Sequence, residues 1–95
     1  MKNLSETTEL MNSTDYKDRF KAEYYQLETR LIKLHDMIDK LINNELTFTP
    51  ICDKGVLENQ RCYMYKYLLV LIDRAKLENI DLDIDDEVKH ILLIK

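Results

Sequence analysis

Apolar residues recur at spacings of four and three from Tyr16 through Phe20, Tyr24, Leu27, Leu31, Leu34 and Ile38 to Leu41. This is the period of one α-helical face. Ser13, Thr14 or Asp15 can cap its start by accepting a bond from a free backbone N–H. The segment "LTFTPICDKG" (46–55) holds the only Pro and the only Gly, so the helix must stop before it. Asp53 is placed to cap a second helix, expected from about Lys54 to Glu78. With Met64 at the centre of its inner face, Leu57, Leu68, Leu71 and Ala75 fall within roughly 40° of that centre. Gln60, Tyr67, Arg74, Tyr63 and Val70 follow on one flank, and Arg61, Ile72, Tyr65 and Leu69 on the other. Only Lys66, Asp73 and Cys62 lie clearly opposite. The apolar arc is therefore roughly two-thirds of the circumference, against the ~100° of an ordinary surface helix. One partner helix does not cover it; a third element or another subunit is implied. Leu57, Gln60, Met64, Leu68 and Leu71 are the expected core or oligomer seam.

The tail "DIDDEVKHILLIK" reads as a short helix, with Asp83 as N-cap, Asp86 at N3, and an apolar face of Ile84, Val88, Ile91 and Leu92. A terminal strand over "HILLIK" is the alternative, so residues 84–95 stay open between the two. Residues 1–13 are polar and aperiodic, which predicts a flexible arm. Residues 14–95 then form a single domain. The fold expected is all-α: an antiparallel two-helix hairpin with a short C-terminal helix, closed by self-association into an oligomer.

Composition narrows the class. The 95 residues suit one domain, and 34% charged residues with one Gly and no Trp suit a helical one. The longest apolar run, "YLLVLI", is too short to span a bilayer. "MKNLSETTELMNS" has no apolar signal segment, so a cytoplasmic location with Cys52 and Cys62 reduced is expected. The net charge of −4 argues against binding a nucleic-acid polymer. Charge is unevenly spread, however. Residues 60–76 carry Arg61, Lys66, Arg74 and Lys76 against Asp73 alone, whereas residues 78–87 carry six acids and no base. A local positive surface of this kind suits a small anion.

Little in the chain points to catalysis or metals. "DLDIDDE" begins like a calcium loop but lacks the turn glycine, and its twelfth position is Leu92 rather than Glu. Cys52, Cys62, His35 and His90 have no partners at zinc-ligand spacing. No nucleophile elbow, P-loop or HExxH motif occurs, and Glu28, His35, Asp36 and Asp39 fit an ordinary solvated face. No enzyme, metal or cofactor is expected. The six tyrosines are more than a small hairpin needs. Tyr24 and Tyr67 suit a core with hydroxyls at its rim. Others can stack on a base while Arg or Lys holds a phosphate. Tyr63, Tyr67 and Arg74 share a flank of helix two, with Lys66 nearby. In an antiparallel hairpin, Tyr16 and Arg19 at the start of helix one would converge on Arg74. An ion-pair network with Glu23, Glu78 or Asp73 accounts for the same residues equally well.

The segments "YKDRFKAEYYQLETRLIKL" and "LENQRCYMYKYLLVLIDR" resemble a group of small helical-hairpin proteins of bacteriophages, including gut crAss-like phages. The matching positions are Tyr16, Arg19, Glu23, Lys33 and Leu34, then Leu57, Gln60, Met64, Tyr67, Leu71 and Arg74. The resemblance covers roughly residues 16–78. The second helix is also similar to that of phage sponges that counter CBASS and Thoeris immunity, through Gln60, Met64 and Arg74-Ala75. Those sponges are oligomers that hold cyclic nucleotides or cyclic ADP-ribose isomers without cleaving them. The loop "TFTPICDKG" and the acidic tail depart from that pattern. The resemblance implies an anti-defence sponge for a cyclic nucleotide, with Tyr16, Arg19, Tyr63, Lys66, Tyr67 and Arg74 as ligand residues. A protein–protein adaptor docking a host helix through the arc of helix two is the alternative, and a structural dimer without ligand is a third.

Overall fold

The computed structural model describes the backbone of residues 4–94 and side chains through Ile91. It is all-helical, with no strand among the described residues. After a 3-10 turn at Ser5–Thr7 come α1 (Thr8–Met11), α2 (Tyr16–Ile42), α3 (Lys54–Leu77) and α4 (Asp86–Ile94). The longest dimension, 43 Å, is that of α2, whose 27 residues extend ~40 Å.

Local chemistry sets the helix ends. Asp15 caps α2, its carboxylate accepting from the Lys17 N–H at 2.9 Å. Asp53 caps α3 by accepting from the Val56 N–H at 3.0 Å. Both long helices stop by one device: an asparagine in the left-handed region. Asn44 has φ 58° and Asn79 φ 56°. The next N–H folds back in each case, Glu45 onto the Lys40 carbonyl and Ile80 onto the Ala75 carbonyl, both at 2.8 Å. These are Schellman closures, and Ile80 buries its side chain where the second one ends. The cap of α4 is Asp85, whose carboxylate accepts from the Glu87 N–H at 2.9 Å, not the expected Asp83. The Asp83 N–H is instead bound to the Tyr25 hydroxyl. Residues 84–94 carry α4 and no strand; Lys95 and the Leu92 side chain lie outside the described residues.

The centre of the fold is α2. α1, α3 and α4 all pack on it, and among the described residues the backbones of α1 and α4 do not come close to that of α3. Cross-contacts between α2 and α3 run in opposite chain order: Tyr16 to Glu78, Glu23 to Tyr67, His35 to Arg61. Because three elements surround it, α2 buries more than one stripe. Phe20, Tyr24, Leu27, Leu31 and Ile38 are buried, and so are Tyr25, Glu28, Thr29 and Ile32 on the adjoining face. The tail contributes Val88 and Ile91 to this core.

Three expectations need correcting. First, the arm expected over 1–13 is structured from Leu4, with Thr7 fully buried and bonded to Gln26; residues 1–3 lie outside the described residues. Second, the inner face of α3 is centred off Met64. Leu57, Leu68, Leu71, Ile72 and Ala75 are buried while Met64 is half-buried, a rotation of about 30° toward the Ile72 flank. Gln60 is therefore exposed and takes no part in the intramolecular seam. Third, Tyr67 is 44% exposed, and the buried tyrosines are Tyr24 and Tyr25.

Candidate functional site

The start of α2 and the end of α3 lie side by side, which joins Tyr16 to Arg74. Arg74 Nη2 donates to the Tyr16 hydroxyl at 2.8 Å, and that hydroxyl donates to Glu78 Oε1 at 2.8 Å. Arg74 Nε donates to Glu78 Oε2 at 3.3 Å. The guanidinium lies over the Phe20 ring, 5.0 Å from its centroid. The bond to the Glu78 carboxylate favours the neutral phenol and raises the pKa of Tyr16. Guanidinium, hydroxyl and carboxylate thus form a closed, solvent-facing cluster on an aromatic floor.

The other expected ligand residues are not in this cluster. Arg19, one turn along α2, donates from Nη1 to the Ser13 carbonyl at 2.9 Å, bracing the turn before the helix. The Tyr67 hydroxyl donates to Glu23. Lys66 lies 5.8 Å from the Tyr63 ring centroid. All six side chains are exposed. Tyr16 and Arg74 converge, and the same arginine is paired with Glu78.

Open clefts lie elsewhere, two of them lined by ionisable groups. One of about 440 Å³ sits between the C-terminal half of α2, the N-terminal half of α3 and α4. His35, Arg61, Glu87 and His90 line it, with Asp36 and Asp39. Arg61 Nη1 is 3.4 Å from His35 Nδ1, and Arg61 Nε is buried without a partner among the described residues. A hydrogen bond with Asp36 in a crowd of carboxylates pushes Glu87 up to about 7. Sequence reasoning passed over this cleft because α2, α3 and α4 each supply one part of it. The helical phase of α2 and the antiparallel order would have placed His35 near Arg61; nothing in the sequence would have placed Glu87. The second cleft, about 380 Å³, is lined by Tyr25, Glu28, Asp83, Asp85, Asp86 and Lys89, an acidic surface that repels anions. Among the described residues, no three His, Cys, Asp or Glu side chains are grouped to hold a metal ion. Cys52 and Cys62 are free thiols. No helix among the described residues is long and apolar enough to cross a membrane.

A family model described as Sequestin matches residues 14–77, which is α2, the connecting loop and α3. No curated protein and no solved structure matches the chain.

Proposed function

The chain belongs to the Sequestin family, and on that premise we propose that it sequesters a cyclic nucleotide signal of host defence without cleaving it, as a phage protein in the bacterial cytoplasm. The family name fits a sequestering protein rather than a catalyst. The observation that carries the ligand class is the Tyr16–Arg74 cluster, a guanidinium fork and a phenol at the open end of the helix pair. A phosphate takes the place of Glu78: it accepts from Arg74 Nε and Nη2 and from the Tyr16 hydroxyl, while the Glu78 carboxylate swings into water. The exchange sets one anion in place of another at the same donors, Arg74 Nε and the Tyr16 hydroxyl. Arg19 adds a second guanidinium at this end, and Tyr63, Lys66 and Tyr67 supply ring faces and charge for bases and further phosphates. The protein acts as a homo-oligomer of antiparallel hairpins.

Calorimetric titration with cyclic mononucleotides, cyclic dinucleotides and cyclic ADP-ribose isomers tests this. Arg74→Ala is expected to weaken binding roughly tenfold or more, as loss of a charge-assisted bond does. Arg74→Lys restores it only in part, because lysine lacks the fork. Glu78→Gln, which removes the competing carboxylate, tightens binding. Arg74→Ala and Glu78→Gln variants that bind like the wild type would remove this cluster from the site.

A further inference from the structure

Among the described residues the backbone of α3 is approached closely by that of no helix but α2, and the far flank of α3 is exposed. That flank is ordered. Val56, Gln60, Tyr63, Tyr67, Val70, Arg74 and Leu77 follow one another at alternating spacings of four and three, and all are exposed. This is the 3.5-residue repeat of a coiled-coil seam, sustained over three heptads. Five of the seven are apolar or aromatic: Val56 is 55% exposed, Tyr63 70%, Tyr67 44%, Val70 54% and Leu77 83%. The stripe is ~32 Å long. It exposes on the order of 500 Å² of apolar surface, at the upper end of what a monomer shows and more than half of the ~800 Å² that each partner buries in a stable complex.

We propose that this stripe is the seam of a homodimer, in which α3 packs antiparallel on α3 of a second copy. The stripe is complementary to itself in one register. With a two-fold axis between Tyr67 and Val70, Tyr67 meets Val70 of the partner subunit, Tyr63 meets Arg74 of the partner subunit, and Gln60 meets Leu77 of the partner subunit. The flanking charges fit the same register. Lys66 and Asp73 are exposed, on the same side of the stripe and one heptad apart. Antiparallel pairing sets Lys66 beside Asp73 of the partner subunit, and symmetry does so twice. A parallel pair has no such match. It stacks Arg74 on Arg74 and turns Lys66 toward the flank of Leu57, Met64 and Leu71, which α2 occupies.

The pairing does not rest on the ligand reading, but it bears on it. Within one chain Tyr63 lies ~16 Å along the helix from Arg74. Across the seam it sits at the partner's Arg74, so each Tyr16–Arg74 cluster gains an aromatic face from the other subunit.

Sedimentation equilibrium without nucleotide tests the pairing. The expected mass for the wild type at micromolar concentration is twice the chain's 11.4 kDa. Val70→Glu should give a folded monomer, with helicity and melting checked by circular dichroism. Lys66→Asp and Asp73→Lys should each weaken the dimer about tenfold, since two exposed pairs turn repulsive. The double swap Lys66→Asp with Asp73→Lys should return it to near wild-type strength. A wild-type monomer at tens of micromolar overturns the seam and reassigns the stripe to a different partner. A dimer indifferent to Val70→Glu does the same. A double swap no stronger than the single ones overturns the antiparallel register.

Discussion

Glu28 is the most consequential polar group in the core, and its replacement by alanine makes a quantitative test of how α2 holds the tail. Its side chain is 1% exposed. Oε2 accepts from the Tyr24 hydroxyl at 2.8 Å and from the Asp85 N–H at 3.1 Å, while Oε1 is buried with no partner among the described residues. One turn earlier, the Tyr25 hydroxyl accepts from the Asp83 N–H at 2.9 Å. Two α2 side chains thus fasten the backbone that leads from α3 into α4. Hydrogen bonds to a charged acceptor contribute ~1.5–3 kcal/mol each, and each donor left without a partner costs ~1–3 kcal/mol. Against this, Glu28→Ala relieves a buried carboxylate with one idle oxygen. The expected net loss is ~3 kcal/mol, a fall in Tm of roughly 12–24 °C for a domain of this size. Burial raises the Glu28 pKa above its ordinary 4.5, although the Asp85 N–H and the Tyr24 hydroxyl pull the other way. The folded state then binds this proton more tightly than the unfolded state. The proton-linked part of the stability at Glu28 is fully present below pH 4.5 and is lost as pH rises through its folded pKa, while the bonds from Tyr24 and Asp85 remain. Glu28→Gln keeps the shape and an acceptor while removing the titration, so it should cost less than alanine and flatten this part of the pH profile. Urea unfolding of the wild type and both variants across the acid-to-neutral range gives the comparison. An alanine variant within about 1 kcal/mol of the wild type, or a glutamine variant with an unchanged pH profile, would show that Glu28 does not hold the tail in this way.

Asn79→Ala should cost ~1 kcal/mol by forcing a β-carbon into the left-handed region at the end of α3, whereas Asn79→Gly should be close to neutral; thermal melts of the pair check this. Glu87, held near pH 7 by Asp36, has a folded pKa above its ordinary 4.5, so its share of stability fades as pH rises from 4.5 to about 7. Glu87→Gln should remove that slope in denaturant titrations at several pH values. Leu71→Asp buries a lone carboxylate against α2 and should abolish the cooperative unfolding transition seen by circular dichroism, together with the fold.

Period and punctuation made the two long helices legible. The stripe from Tyr16 to Leu41, the lone proline and glycine, the cap Asp53 and a first cap among Ser13, Thr14 and Asp15 each act locally, so the chain alone reveals them. What surrounds α2 was not legible. Its buried Tyr25, Glu28, Thr29 and Ile32 look like ordinary surface choices until α1 and the tail are known to dock there, and docking is a tertiary fact. The same blindness moved the centre of α3. An apolar arc this broad does not reveal which part faces α2, so the pattern puts Met64 at its centre and Gln60 in the seam. Asn44 and Asn79 were a readable stop signal, since asparagine tolerates the left-handed region better than most residues. Tyr16 and Arg74 could be placed together because an antiparallel pair of known length fixes which ends meet. Arg19 could not be assigned to that cluster or to the Ser13 carbonyl, because that choice depends on the turn before α2. The cleft around Arg61 needs three elements in register: helical phase brings His35 to Arg61, but Glu87 arrives only with the docked tail.

On the proposed function the chain holds a cyclic nucleotide and returns it unchanged. The most direct measurement incubates the protein with a defined panel of cyclic nucleotides and cyclic ADP-ribose isomers, removes free ligand by gel filtration, heat-denatures the protein and weighs what is released by mass spectrometry. One class of panel member should be retained, in a fixed ratio to protein, released intact, and not retained by Arg74→Ala. Release of a cleaved or altered product would contradict it, as would a folded wild type that retains no member of the panel.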